Sequence, residues 1–82
     1  MFKPDKHEME EDITWKDVLS SRVQRVGYSP SAQALYVAWA KGGKVSRYSD
    51  VPPDVADEFT KSWSVGEAVN SMLAGRYEMT YV

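Results

Sequence analysis

The spacing of the apolar residues changes once along this chain, near residue 48, and this change limits the fold more than any other feature. Before it, apolar and polar residues alternate, which is typical of half-buried strands. After it, apolar residues recur every third or fourth position, which indicates amphipathic helices. Strands followed by helices are typical of an α+β fold, with the helices packed on an antiparallel sheet. The sequence therefore predicts an α+β domain.

Three strands are predicted in the first half of the chain. Val23 and Val26 flank polar residues, and residues 27–30 form a turn cluster. Residues 35–40 alternate most clearly, and Gly42-Gly43 predicts a two-residue type I′ hairpin that returns through residues 45–48. These strands predict a three-stranded antiparallel meander. Its central strand has two faces, Leu35, Val37 and Trp39 on one and Tyr36, Ala38 and Ala40 on the other.

The segment before the meander fits two structures. Ile13, Trp15 and Val18 are spaced as in a short extended segment and also as in a single helical turn, so its conformation stays open.

Two short helices are predicted after residue 50. Val55, Phe59 and Trp63 recur every fourth residue behind a proline-containing entrance at residues 50–53. Residues 64–67, Ser-Val-Gly-Glu, match a capping box at the start of the second helix, and Gly75 is placed to end it. The alternating residues 77–81 fit an additional short strand.

The length of 82 residues leaves room for one small domain, and the absence of Cys excludes disulfides and thiolate chemistry. Residues 1–12 are polar and acidic, so they are predicted to be a flexible tail before a single domain at 13–82. They lack the apolar core of a signal peptide, and the chain has no 18-residue apolar run. These features predict a cytoplasmic protein.

The net charge of −2 conceals a segregated pattern. Residues 1–17 carry −3, residues 18–49 carry +5 without one acid, residues 50–58 carry −4, and the remainder is neutral. A basic meander thus adjoins an acidic helix and an acidic tail, and two candidate interaction surfaces follow.

The first surface is a basic, aromatic sheet face that would bind RNA or another polyanion. Its aromatic rings would stack bases and its cations would contact phosphates. The acidic tail would compete with phosphate for the same patch. Ordinary solvated charge explains the same residues without any ligand. The candidate residues are Arg22, Arg25, Tyr36, Lys41, Lys44, Arg47 and Tyr48.

The second surface is acidic and would bind a protein. Asp54, Asp57 and Glu58 on the first helix would meet a basic protein surface, with Trp15 as an additional anchor. This module would serve as a structural component or as a modulator of another protein. Acids favoured by the helix dipole explain the same pattern without a partner.

Catalytic and metal sites are not predicted. His7 has no nucleophile or orienting acid at a recognisable spacing, and the acids at positions 8 and 10–12 lack a calcium-binding loop. Residues 64–66 resemble an anion site at a helix start, but the predicted capping box with Glu67 would occupy its donors. We therefore expect no enzyme activity and no cofactor. A homo-oligomer suits so small a chain, although no particular residue indicates one.

Residues 20–77 together resemble the KTSC domain, a family found at the C-terminus of some lysyl-tRNA synthetases and as free-standing small proteins of bacteria and phages. The resemblance implies a compact fold and suggests RNA binding. If a phage encodes the chain, the resemblance also implies a place in the host cytoplasm, with a place in a virion left open, and a role as a phage component or a modulator of a host protein. The family's central Tyr-x-Tyr maps onto Ser46-Arg47-Tyr48, so its first aromatic is absent here. The matching residues are Ser20-Ser21, Val26-Gly27-Tyr28, Leu35, Val37, Trp39, Gly43, Tyr48, Asp50-Val51-Pro52, Ser64-x-Gly66, Asn70 and Arg76-Tyr77.

Overall fold

The computed structural model describes residues 12–18, 20–62 and 64–82. They form an antiparallel sheet of five strands in sequential order, and two short helices. The strands are β1 (Thr14–Asp17), β2 (Val23–Ser29), β3 (Ala34–Trp39), β4 (Val45–Tyr48) and β5 (Met79–Tyr81). The helices are α1 (Pro53–Lys61) and α2 (Val65–Ala68), which continues as a π-helical turn, Val69–Leu73.

The α+β class and the additional C-terminal strand are confirmed, but the predicted three-stranded meander understates a sheet of five strands. The segment around Trp15, whose spacing fits two conformations, is the strand β1, and the additional C-terminal strand is β5. Both strands extend the meander by antiparallel pairing, β1 with β2 and β5 with β4. The predicted strands therefore form the centre of the sheet, and the added ones form its ends.

The connection between β3 and β4 is longer than the predicted two-residue hairpin. Gly42 and Gly43 have positive φ angles of 81° and 63°, as a type I′ turn requires. However, β3 ends at Trp39, whose amide donates to the Lys44 carbonyl (2.9 Å). Four residues, 40–43, therefore form the loop, and the two glycines are its last two.

The two faces of the sheet differ in what covers them. The inner face is the side covered by α1 and α2, and its core residues include Val26, Leu35, Val37 and Tyr48. On the outer face, cross-strand pairing places one residue of every strand in a single row. That row runs Trp15, Gly27, Tyr36, Arg47, Thr80.

The helices follow the predicted pattern except at the start of α2. Ala56 and Phe59 are the buried residues of α1, and Trp63 lies outside the described residues. Ser64 is the N-cap of α2 but makes no side-chain cap hydrogen bond, so the predicted capping box is wrong. Its ψ of 77° departs from the extended value at which a cap hydroxyl reaches the third helical amide. Gly75, with φ of 78°, follows the π-helical turn as predicted.

Asp12, the last residue of the predicted tail, is attached to the sheet. Its carboxylate accepts hydrogen bonds from the Ser29 hydroxyl (2.5 Å) and the Ser31 amide (3.0 Å). These bonds lower the pKa of Asp12, with the Ser29 bond as the largest cause. The rest of that prediction, residues 1–11, lies outside the described residues.

Candidate functional site

The predicted pair of stacking tyrosines is not formed on one face. Tyr36 lies on the outer face and is 0% exposed, whereas Tyr48 lies on the inner face and is 4% exposed. The two side chains point in opposite directions because they are separated by an odd number of ladder positions. They cannot stack one strand of RNA together, and this part of the prediction is wrong.

The two positions of the family's Tyr-x-Tyr both lie on the inner face. Ser46 is 1% exposed, and its hydroxyl accepts a hydrogen bond from the Trp39 indole N–H (2.8 Å). Burial raises the pKa of Tyr48, and the nearby Tyr81 adds to this shift. In this chain, therefore, the motif belongs to the core rather than to an exposed stacking surface.

A groove on the outer face brings together residues from both predicted surfaces. Trp15, Arg25 and Lys44 line this groove, which has a volume of about 350 Å³. We call it the outer-face groove. The Arg25 guanidinium lies 5.8 Å from the centre of the Trp15 ring, and a carboxylate oxygen of Asp17 is 3.7 Å from Arg25. The groove combines a half-buried indole with two exposed cations.

The other predicted cations are dispersed. The Arg47 guanidinium donates to the hydroxyls of Tyr36 (3.0 Å) and Ser49 (3.0 Å), so it forms hydrogen bonds with neighbouring side chains of the sheet. Lys41 is exposed in the hairpin. Arg22 is exposed before β2, where its Nη2 donates to the Gly66 carbonyl (2.6 Å). Of the predicted set, only Arg25 and Lys44 line the outer-face groove.

The predicted acidic surface is also divided by the sheet. Asp54, Asp57 and Glu58 are exposed on α1, which covers the inner face, whereas Trp15 lies on the outer face. These residues therefore do not form one surface, and that grouping is wrong. Asp57 pairs with Lys61 (3.0 Å) and borders a groove of about 360 Å³ between α1 and the first two strands, with Tyr28 in its lining.

A third cleft, of about 500 Å³, was not predicted as a site. It lies between the entrance to β2 and the start of α2, and we call it the serine cleft. Five of its eight lining residues are among those that carry the KTSC resemblance, although they come from two distant segments. The lining is Ser20, Ser21, Arg22, Ser64, Val65, Gly66, Glu67 and Asn70.

Close packing brings the two walls of the serine cleft together. A Cβ atom on Gly66 would lie 3.0 Å from Arg22 Nε and 3.4 Å from Ser20 Oγ. Ser20 Oγ accepts hydrogen bonds from the amides of Arg22 (3.2 Å) and Val23 (3.2 Å), which orients the chain as it enters β2. The small residue at position 66 therefore lets the guanidinium reach the backbone.

The described residues contain neither a cluster of metal ligands nor a membrane-spanning helix. No group of three His, Asp or Glu side chains there could hold a metal ion, and His7 lies outside them. No helix in residues 12–18, 20–62 and 64–82 is long and apolar enough to cross a membrane.

Comparisons with known proteins agree with the resemblance. The KTSC domain profile matches residues 19–77. A protein of Tsukamurella paurometabola is 35% identical over 60 residues, which cover 73% of this chain and 88% of that relative. The crystal structure of a KTSC domain protein from Yersinia pestis superposes with a TM-score of 0.79 and 23% identity, covering 85% of this chain and 97% of that one. The chain therefore belongs to the KTSC domain family.

Proposed function

We propose that the protein is a non-enzymatic module that binds single-stranded RNA, or another polyanion, in the outer-face groove. The observation that supports this proposal is the association of the Trp15 indole with the cations Arg25 and Lys44 in one groove. Trp15 here takes the stacking role first assigned to Tyr36 and Tyr48.

The groove has both components that single-strand binding requires. An aromatic platform contributes about 1–3 kcal/mol per stacked base, and it accepts any base because every base has a π-face. Cations beside the ring contact the phosphates that flank a stacked base. The Lys44 Nζ also lies 5.1 Å from the centre of the exposed Tyr81 ring, which pairs with Ser46 on the inner face and is not part of the groove.

The distribution of charge would also orient the ligand. The exposed acids Asp54, Asp57 and Glu58 lie on α1, which packs on the inner face, and Arg25 and Lys44 line a groove on the outer face. A polyanion is repelled by the first side and attracted by the second. Asp17, 3.7 Å from Arg25, reduces this attraction locally.

Binding of fluorescent single-stranded RNA, measured by anisotropy at several salt concentrations, tests the proposal. Each phosphate contact contributes about −0.7 to the slope of log affinity against log salt for a single strand. The double variant Arg25→Gln/Lys44→Gln should therefore weaken binding and reduce the magnitude of the slope by about 1.4.

The matched control is Lys61→Gln/Arg76→Gln, which changes the net charge equally at exposed positions outside the groove. It should leave the slope nearly unchanged. The proposal is wrong if no RNA binding is detected at about 50 mM salt, where phosphate contacts are strongest. Equal losses in both double variants would also contradict it, because they would indicate a response to net charge alone.

A protein partner is the second candidate, supported by the groove beside α1. Tyr28, Pro53 and Ala56 line this groove, and the exposed Asp57 lies at its border. A partner segment with both apolar and basic side chains fits this combination. The triple variant Asp54→Ser/Asp57→Ser/Glu58→Ser should lose such a partner in a pull-down, and full retention would exclude this surface.

A further inference from the structure

We infer that the serine cleft is a second binding site, which takes a phosphate monoester group. This inference is independent of the outer-face groove, because the linings of the two share no residue. The volume of about 500 Å³ is in the range of small-ligand pockets, which is about 300–1,000 Å³.

The first support is the charge of Arg22. Among the described residues, no carboxylate lies within ion-pair distance of Arg22. Its Nη2 is held by the Gly66 carbonyl at 2.6 Å, which fixes the guanidinium at the wall of the cleft. A planar guanidinium held in place with further N–H donors is suited to phosphate oxygens.

The second support is the set of uncharged polar groups around this guanidinium. The hydroxyls of Ser21 and Ser64 and the amide of Asn70 line the same cleft. Hydroxyl and amide groups donate to phosphate oxygens in the same manner as at nucleic-acid backbones. The Ser64 side chain makes no cap hydrogen bond, so the capping box that would have closed this place to an anion is not formed.

Glu67 also lines the cleft, and it provides the sharpest control. Its carboxylate repels an anionic ligand and attracts a cationic one. Removal of the charge of Glu67 must therefore change the affinity in opposite directions for the two kinds of ligand. If the ligand is an anion, Arg22→Gln must weaken binding and Glu67→Gln must strengthen it.

The experiment titrates inorganic phosphate into the ¹⁵N-labelled full chain at constant ionic strength and follows the amide signals of residues 20–22 and 64–67. We expect saturable shifts there, an affinity about tenfold lower in Arg22→Gln, and an affinity about threefold higher in Glu67→Gln. Ser21→Ala, at an exposed position, should weaken binding without changing the fold. The inference is overturned by the absence of shifts at about 50 mM phosphate, well above ordinary ligand concentrations, or by weaker binding in Glu67→Gln.

Two further probes distinguish the sources of the phosphate. Adenosine 5′-monophosphate represents a free nucleotide, and a short RNA with and without a 5′-phosphate represents a nucleic-acid end. If the 5′-phosphorylated RNA binds more tightly than both the unphosphorylated RNA and the mononucleotide, the cleft is assigned to RNA ends. If the mononucleotide binds as tightly as the 5′-phosphorylated RNA, the cleft is assigned to small ligands. The variant Arg25→Gln/Lys44→Gln should leave the phosphate shifts intact, so failure of the outer-face groove would not affect this result.

Discussion

Trp15 and Tyr36 contact each other across a strand that contributes no side chain between them. Their ring centres are 6.0 Å apart with planes inclined at 54°, and Gly27 of β2 pairs with both residues. Aromatic rings that cover a glycine in a neighbouring strand stabilise a sheet where the glycine alone would weaken it. This contact attaches β1 to the sheet, and Tyr36 is completely buried on the outer face.

A side chain at position 27 should therefore destabilise the fold. A Cβ there would lie 2.7 Å from Ile13 Cγ2 and 2.9 Å from the Trp15 ring, so β1 must move. We expect Gly27→Ala to lower the free energy of unfolding by about 1–3 kcal/mol, the usual cost of overpacking. Urea denaturation monitored by tryptophan fluorescence measures this loss.

The control is Gln24→Ala, at an exposed position of the same strand, which should change stability by less than about 0.5 kcal/mol. If Gly27→Ala is as stable as the parent chain, the close contact between β1 and β2 is not required for the fold.

The first strand shows what the apolar pattern could not predict. Ile13 and Trp15 fit two conformations by their spacing alone. They lie in a strand because Gly27, which is distant in sequence, has no side chain and leaves room for them. The central strands were predictable because their alternation is local. β1 depends on a contact that alternation does not reveal.

The site residues show the same limit. The basic charge of residues 18–49 was evident, but the three arginines of this segment do not form one surface. Arg22 contacts the Gly66 carbonyl, Arg25 the Trp15 ring and Arg47 the Tyr36 hydroxyl. The serine cleft was present in the sequence only as two short motifs, residues 20–21 and 64–66. Their meeting requires the packing of α2 beside the start of β2, which no spacing rule predicts.

Ser46→Ala should destabilise the core, although it removes only one oxygen. The Ser46 hydroxyl is the acceptor for the Trp39 indole N–H at 2.8 Å. Without it the half-buried Trp39 loses this hydrogen bond, and one hydrogen bond contributes about 0.5–1.5 kcal/mol. Urea denaturation should show this loss, while Ser71→Ala, at an exposed position of the π-helical turn, should be nearly neutral. Equal stability of the two variants would mean that the indole finds another acceptor.

Tyr28→Phe should lower stability and change its dependence on alkaline pH. The Tyr28 hydroxyl donates to the Val51 carbonyl at 2.6 Å, joining β2 to the segment before α1. We expect a loss of about 0.5–1.5 kcal/mol at neutral pH, typical of one hydrogen bond. Burial, and secondarily the charge of Asp54, raises the pKa of Tyr28 above its ordinary value of 10.0.

The sign of the alkaline effect follows from this raised pKa. The unfolded chain ionises at Tyr28 first, so the contribution is complete below pH 10.0 and is lost as pH rises through the folded pKa. Urea denaturation at pH 8 and at about pH 10.5, just above the ordinary tyrosine pKa, should show that the stability gap between parent and Tyr28→Phe narrows. A constant gap would contradict the raised pKa.

Asp12→Asn should weaken the attachment of the chain entering β1, and the effect should disappear in acid. Asn keeps the shape of the side chain but removes the charge that the Ser29 hydroxyl and Ser31 amide stabilise. Because the pKa of Asp12 is lowered from 3.8, its contribution is complete above that pH and is lost as pH falls through the folded value. Unfolding at pH 7, pH 5 and about pH 2.5, below the ordinary Asp pKa, measures the stability difference between the parent chain and Asp12→Asn. This difference should be the same at pH 7 and pH 5 and smaller at about pH 2.5.

The control is the same substitution in a Ser29→Ala background. There Asp12→Asn should lower stability less at pH 7, since the main bonding partner is already absent. A gap that persists unchanged in acid would show that the carboxylate charge at Asp12 does not contribute.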